Sequence, residues 1–371
     1  MKIIKLETFT NKYVGFVKIT TNTNDFGWGQ MSTYNADISA LIFHRQVAPW
    51  SLGLDLIEEK PNFSDHLQKI LEKEHKFPGS YLLRALSGLD TALWDLYGRF
   101  HETPVASLIG GSPQKIRAYG SSMRRDITPK EEAMRLCKLR DSNGFSAFKF
   151  RVGSECGRDL DEWEGRSEEI VKLVSCELGD DVEKLVDGNS CFSPKRAIEL
   201  GKYLEDQGVC HFEEPCPYWE HNQTKEVKEA LSLDIAGGEQ DCDMSTWKST
   251  IEKQIVNIVQ PDIMYMGGLY RTMDVARMAE SIGLPCTPHA ANLSLVTMCT
   301  MHLLTAIPNA GKYLELSIED ETYYPWQKNL FLGSPFEVKD GMVEVKDTPG
   351  WGVDIDPKWF DNCDYNITEL N

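Results

Sequence analysis

The sequence lacks the features that mark secreted, membrane and nucleic-acid-binding proteins. The ten cysteines are few for 371 residues and form no CxxC pair, so neither a disulfide scaffold nor a zinc site is indicated. No stretch reaches the roughly 18 uninterrupted apolar residues of a membrane span, and the first ten residues alternate as a strand does rather than resembling a signal peptide. The net charge of −18 includes no basic block, which argues against nucleic acid or an anionic membrane as a partner. We therefore expect a cytoplasmic protein.

The chain nevertheless has enough apolar sequence for a large folded core. Hydrophobic residues make up 41% and charged residues 26% of its 371 positions, which excludes a disordered or low-complexity protein. At roughly 150 residues per domain, this length allows two or three domains, or one large α/β barrel with an attachment.

Beyond residue 115 the sequence repeats one pattern eight times: a short β-rich run that ends in a polar residue, followed by an amphipathic stretch. The runs begin at Lys115, Ala147, Lys184, Val209, Asp234, Ile255, Pro285 and Tyr313. Strands that alternate with helices pair in parallel, and eight such units favour a closed (β/α) barrel over an open sheet. We predict an α/β protein with this barrel at residues 115–322.

The two ends of the chain do not follow this repeat. Residues 1–114 begin with two strand-like segments and continue into helical ones, and residues 323–371 combine turn signals with β alternation in FEVKDGMVEVKD. Neither end is long enough to bury a core alone. We therefore predict one α+β domain assembled from both ends.

Three of the predicted strands end in carboxylates. In parallel barrels the carboxyl ends of the strands meet at one face, so Asp187, Glu213 and Glu239 are expected side by side. Three converging carboxylates repel unless a cation neutralises them, and ligation by oxygen alone favours a hard ion such as Mg²⁺. A cap or surface role is the ordinary alternative for a single carboxylate, but it accounts poorly for three in a row.

The remaining strand ends supply basic residues and a possible proton acceptor. Alternation along a strand places Lys149 and Arg151 on one face, directed to the site. His289 follows Asp262 by one strand, and a histidine whose tautomer is fixed by a carboxylate suits a general base. Glu315 ends the last run.

Together these residues resemble the enolase superfamily, in particular its mandelate racemase and muconate lactonizing enzyme subgroup and the acid sugar dehydratases within it. The resemblance rests on Asp187, the FEEP and GGE segments, the QPD…GG run and the Pro288-His289 pair; ALSGLDTALWDLYGRF and PGWGVDID are similar to capping segments. It implies a (β/α)7β-type barrel under a capping domain and Mg²⁺-assisted removal of the proton next to a carboxylate. By analogy, Lys149 holds that carboxylate and Glu315 orients it or donates to it.

One position departs from the subgroup pattern. Members commonly carry Lys-x-Lys where this chain has Lys149-Phe150-Arg151, and a guanidinium is a poor base because it stays protonated. Racemisation needs acceptors on both faces of the carbon, whereas dehydration needs one. The sequence therefore predicts dehydration of an acid sugar to a 2-keto-3-deoxy acid, with a racemase or epimerase as the alternative.

Substrate-specifying residues are harder to find. Asn189 suits a supporting hydrogen bond or an ordinary turn, and Trp28 and Tyr34 suit substrate contact or packing between domains. A barrel used only for binding, and a hydrolase with two metals, are disfavoured by the full residue set and by the absence of HxH from the first barrel strand. We also expect a homo-oligomer.

Overall fold

The computed structural model describes residues 1–56 and 63–370. Residues 57–62 and 371, which belong to the two segments predicted to form the α+β domain, lie outside the described residues. Within the described ranges, no helix is long and apolar enough to cross a membrane.

Both ends of the chain contribute to one antiparallel sheet. Its spatial order is β12-β1-β2-β3, so the last strand pairs with the first. The strands are β1 (Ile3–Thr10), β2 (Gly15–Thr21), β3 (Phe26–Met31) and β12 (Asp364–Glu369). The accompanying helices are α1 (Ala36–Ile42), the π-helical turn Phe43–Val47, α2 (Ala48–Ser51), α3 (Ser64–Lys73), α4 (Ser80–Phe100) and α5 (Val105–Leu108).

The second sheet has eight described strands, of which seven are parallel and follow the order β10-β4-β5-β6-β7-β8-β9. They are β4 (Lys115–Ser121), β5 (Ala147–Arg151), β6 (Glu183–Asp187), β7 (Val209–Glu213), β8 (Asp234–Gly237), β9 (Ile258–Val259) and β10 (Leu314–Ser317). The intervening helices are α6 (Pro129–Asn143), α7 (Arg166–Leu178), α8 (Pro194–Asp206), α9 (His221–Ala230), α10 (Met244–Glu252), α11 (Ile263–Met266), α12 (Leu269–Glu280) and α13 (Leu295–Leu304). This curled strand-helix sheet beneath an antiparallel capping sheet confirms the predicted fold class.

Two predicted strands differ from the observed ones. The run from Pro285 is reduced to Cys286, which forms single parallel bridges to Val259 on one side and Ala310 on the other. Pro285 and Pro288 lack the N–H groups that a longer ladder needs. The strand in FEVKDGMVEVKD is β11 (Met342–Glu344), and it pairs antiparallel with β4 of the barrel rather than with the capping sheet.

Candidate active site

The strand register brings the predicted residues to one edge of the barrel sheet. Arg151, Asp187 and Glu213 are the last residues of β5, β6 and β7, and they are lateral neighbours in the pairing register. Glu239 follows β8 by two residues. The three carboxylate side chains are buried, so the sequence places three acids in a region shielded from water.

Lys149 lies among these acids, two residues before the end of β5. Its Nζ is 2.7 Å from Glu315 Oε1 and 3.9 Å from Asp187 Oδ2, and it donates to Glu213 Oε1. Burial would lower the pKa of Lys149, but Glu213 and Glu315 outweigh this effect and raise the pKa well above its ordinary value. The surrounding carboxylates therefore favour the charged form of Lys149.

The three predicted metal ligands are occupied by partners from the protein. Asp187 Oδ1 accepts from the Asn189 backbone N–H at 2.7 Å. Glu213 Oε2 accepts from Gln260 Nε2 at 2.6 Å, and Glu239 Oε2 is 3.2 Å from His289 Nε2. Within residues 1–56 and 63–370, no group of three or more His, Cys, Asp or Glu side chains is arranged so that it could hold a metal ion.

Their donor chemistry nevertheless fits a hard divalent cation. All three offer carboxylate oxygens, and Asp187 Oδ2 is buried without a hydrogen-bond partner. Burial raises the pKa of Glu239, and the charges of Glu213 and Asp187 raise it further, against the lowering effect of His289. These acids therefore repel one another, and the assignment of Asp187, Glu213 and Glu239 as metal ligands stays a prediction.

His289 and Asp262 form a buried pair next to Glu239. His289 Nδ1 is 2.7 Å from Asp262 Oδ2, while Asp262 Oδ1 accepts from the backbone N–H groups of Met264 and Tyr265 at the start of α11. This cap orients the carboxylate and leaves Oδ2 for the imidazole. Burial would lower the pKa of His289, but Glu239, Glu315 and Asp262 raise it to about 10.

Arg151 occupies the position where a second base would be expected. Its Nη1 donates to Asn189 Oδ1, its Nη2 donates to Met123 Sδ at 2.8 Å, and Nη2 is 3.6 Å from Asp187 Oδ2. Burial lowers the pKa of Arg151, but Asp187 and Glu239 raise it above its ordinary value. The side chain is a hydrogen-bond donor and a charge, not a base.

The three predicted substrate residues are placed differently. Asn189 has a left-handed backbone (φ 47°), as in a turn, and its side-chain oxygen accepts a hydrogen bond from Arg151. It therefore has both of the features that the sequence offered as alternatives. Trp28 packs against Phe9 and Phe360, with ring centroids 5.5 and 5.6 Å away, and so lies within the capping sheet rather than beside Lys149 or His289.

Tyr34 is connected to the site indirectly, through Tyr324. Its hydroxyl hydrogen-bonds Tyr324, and Tyr324 in turn lies close enough to Arg151 to affect the pKa of the guanidinium. Tyr34 is 47% exposed and packs edge-on against Trp326. It therefore connects the capping sheet to the segment after β10.

Sequence reasoning did not assign a role to several residues that contact the site. Ser121 Oγ donates to Glu315 Oε1 at 2.8 Å, and Gln260 donates to Glu213. Gln260 lies two residues before Asp262, so strand alternation could have placed it. The Arg84 guanidinium lies 3.6 Å from the ring centroid of Tyr265, which neighbours His289; no sequence signal connects Arg84 to that ring.

A strand-helix barrel with acids at its strand ends, facing a histidine-aspartate pair under a two-ended capping sheet, defines the enolase superfamily. Family models match both parts of the chain: residues 3–110 match the N-terminal domain of mandelate racemase / muconate lactonizing enzyme, and residues 131–359 match an enolase C-terminal domain-like model. The chain belongs to the mandelate racemase / muconate lactonizing enzyme family of that superfamily, which confirms the resemblance seen in its sequence. It is therefore an enzyme of this superfamily.

Individual relatives carry different names. A solved structure from Roseobacter denitrificans, provisionally described as a racemase, is 58% identical, with a TM-score of 0.97 and complete coverage of both chains. The arabinonate dehydratase of Saccharolobus solfataricus is 29% identical over 283 residues, which cover 74% of this chain and 70% of the relative. A mandelate racemase/muconate lactonizing protein from Paracoccus denitrificans, complexed with magnesium, is 26% identical, with a TM-score of 0.88 and coverage of 100% and 98%.

Proposed function

We propose that this enzyme dehydrates an acid sugar to a 2-keto-3-deoxy acid, with Mg²⁺ as cofactor and His289 as the base. The observation that carries the proposal is the pairing of His289 with Asp262, 2.7 Å apart, in a site where the pKa values of Lys149 and Arg151 are raised above their ordinary values. The pKa of His289 is also raised, chiefly by the charge of Glu239. A cation that engages Glu239 would remove that effect, which leaves His289 as the candidate base among groups that stabilise negative charge. The arabinonate dehydratase relative supports the substrate class.

Asp187, Glu213 and Glu239 would hold the cation. A bound Mg²⁺ would stabilise negative charge on the substrate carboxylate and would engage Glu239, the carboxylate that otherwise pairs with His289. The magnesium complex of the Paracoccus denitrificans relative supports this choice of ion.

His289 transfers the proton from the carbon next to the carboxylate to the leaving 3-hydroxyl. Its Nε2 takes the proton from the carbon next to the carboxylate, and the electron pair of that C–H bond moves onto the carboxylate. Lys149 binds one of those oxygens, so its charge acts where negative charge develops. The imidazolium, held by Asp262, then protonates the 3-hydroxyl, which leaves as water. The resulting enol tautomerises to the 2-keto-3-deoxy acid.

Glu315 orients Lys149 and the backbone next to His289. It accepts from Lys149, from Ser121 and, at 2.8 Å, from the Ala290 backbone N–H. Burial would raise the pKa of Glu315, but Lys149 and His289 lower it overall. An ionised Glu315 positions Lys149 and the chain next to His289, and this favours the orienting role over proton donation.

The relative from Roseobacter denitrificans favours a second candidate, a racemase or epimerase. That reaction needs a proton acceptor on the face opposite His289. Lys149 and Arg151 are the candidates for that acceptor, and both have raised pKa values, so this reaction has weaker support from the residues.

A screen of acid sugars with Mg²⁺ in D₂O separates the two reactions. We expect 2-keto-3-deoxy acid from at least one acid, and no turnover by His289→Asn at unchanged melting temperature, because the only proposed base is lost. His75→Asn, at an exposed histidine, is the matched control. Recovered substrate with deuterium in both configurations and no dehydration would instead support epimerisation, and full activity of His289→Asn would contradict the base assignment.

A further inference from the structure

A second arginine lies beside Arg151 at the mouth of the barrel. Arg125, on the loop between β4 and α6, donates through Nη2 to Asn189 Oδ1 at 3.4 Å, the same oxygen that accepts from Arg151. Its Nε donates to the Gly153 carbonyl at 2.9 Å. Two guanidinium groups therefore converge on one neutral amide oxygen.

The protein compensates the charge of Arg125 less well than that of Arg151, whose pKa is raised by Asp187 and Glu239. Among the described residues, Arg125 has no carboxylate within 4.0 Å, and Arg151 has Asp187 at 3.6 Å. The Nε of Arg151 is buried without a hydrogen-bond partner. Burial and the charge of Arg151 lower the pKa of Arg125 to about 10, as expected for like charges held together.

Two neighbouring arginines have acid partners, whereas Arg166 donates to the backbone carbonyls of Arg151 and Arg124 and, among the described residues, has no carboxylate within 4.0 Å. Arg124 pairs with Asp126 at 2.8 Å, and Arg135 pairs with both Glu132 and Glu319. In a chain with 57 acidic and 39 basic residues, a cation that lacks an acid partner beside the site calls for an anion from outside the protein.

The position of the two arginines limits what that anion can be. Lys149 and Arg151 are two residues apart on one face of β5, about 7 Å along the strand. Tyr324, in the segment after β10, lies close enough to Arg151 to affect the pKa of its guanidinium. A short chain that reacts beside Lys149 can therefore extend its other end toward Arg151 and Arg125.

We propose that Arg125 and Arg151 bind the distal carboxylate of the substrate, so the enzyme acts on aldaric acids, which carry a carboxylate at each end, rather than on aldonic acids. The proposal rests on the proposed function, because it takes the other carboxylate as the reacting one. Arginine forms bidentate bonds to carboxylates, and such charge-assisted bonds are stronger than neutral ones. A distal phosphate would satisfy the same donors.

Matched substrates and variants test the subsite. Galactarate and D-galactonate differ in the oxidation state of C6, as do D-glucarate and D-gluconate; 6-phospho-D-gluconate supplies the phosphate. For wild type, Arg125→Gln, Arg125→Lys and Arg158→Gln, kcat/KM and the ligand-induced rise in Tm are measured with Mg²⁺. Arg158→Gln removes the same charge from an exposed site on the neighbouring loop.

We expect wild type to prefer the aldarate of an accepted pair by at least about tenfold, since a charge-assisted bond is worth this much. Arg125→Gln lowers that preference about 10- to 100-fold, Arg125→Lys restores part of it, and Arg158→Gln changes it less than about twofold because an exposed charge is screened. Equal treatment of both acids by wild type, preference for the phosphate, or equal effects of Arg125→Gln and Arg158→Gln would overturn the subsite.

The outcomes separate this proposal from the one on which it rests. In one outcome, an aldarate does not react but raises the Tm of wild type more than its aldonate does, and this difference is lost in Arg125→Gln. That outcome would support the subsite and contradict the proposed dehydratase activity. Dehydration without a preference for the aldarate would support the dehydratase activity and contradict the subsite. No binding and no turnover with any of these acids contradicts both. If Arg125→Gln fails to fold, the wild-type preference and Arg125→Lys decide.

Discussion

At the scale of single residues, buried charge decides the chemistry of the site. Lys149 is almost completely buried, yet it contacts Glu213 and Glu315, and a buried charge persists only where such partners replace water. The sequence predicted which side chains share a strand face. It could not predict which atoms pair, because those pairs depend on register and on rotamers fixed by packing.

His302 gives a test of buried titration away from the site. It is 1% exposed on α13, and its Nδ1 accepts from the Ala106 backbone N–H at 2.9 Å. Burial lowers the pKa of His302 to about 4. Since the unfolded chain takes up this proton near pH 6.5, stability is complete above that pH and is lost as the pH falls toward 4.

We expect the protonation of His302 in the unfolded chain to lower the free energy of unfolding by about 2 kcal/mol between pH 6.5 and pH 5. This is roughly 1.5 pH units at about 1.36 kcal/mol per unit. His302→Asn supplies an oxygen acceptor that does not titrate, so its urea unfolding curve should change less than that of wild type between pH 7.5 and pH 5. Parallel changes in the two proteins would show that His302 does not contribute.

At the scale of helices and strands, the sequence predicted an element well where its capping residues and its apolar pattern indicated the same structure. Helix α6 (Pro129–Asn143) has sequence signals at both ends, a Thr128 and Glu131 capping box at its start and a left-handed Gly144 after its end. The strand predicted from Pro285 was reduced to one bridged residue, since apolar pattern alone does not register the missing proline N–H groups. The pairing of β11 with β4 joins residues more than 200 positions apart in sequence and has no local signal.

The packing of α4 on β3 depends on glycine. A Cβ on Gly29 would lie 2.3 Å from the Gly88 carbonyl oxygen and 2.4 Å from the Ala92 nitrogen, which are backbone atoms that cannot move aside freely. The Gly29→Ala substitution is therefore expected to destabilise the protein by about 1–3 kcal/mol or more.

Chemical denaturation measures this effect. The control is Gly237→Ala, whose added Cβ would meet Glu214 Cγ at an ordinary 3.6 Å. Equal stability of Gly29→Ala and wild type would show that α4 does not pack as closely as described.

At the scale of the whole molecule, the capping sheet and the barrel are joined by buried polar contacts. Gln30 Nε2 donates to Ser294 Oγ and Gln30 Oε1 accepts from the Leu295 N–H, both at 2.9 Å. Asp90 on α4 accepts from the Leu269 N–H at 2.6 Å. These partners are 179 to 265 residues apart in sequence, so no local pattern predicted the contacts themselves. The two-part architecture was predicted from the strand-helix repeat and from two chain ends that are each too short to bury a core.

The central claim is that Asp187, Glu213 and Glu239 form a metal site opposite His289. Anomalous diffraction from a crystal soaked in Mn²⁺, a hard cation with similar ligand preferences to Mg²⁺, tests it directly. We predict one strong anomalous peak, bound by all three carboxylates, with Glu239 withdrawn from His289. A peak elsewhere, or no peak while Glu239 stays on His289 and Glu213 on Lys149, would contradict the account.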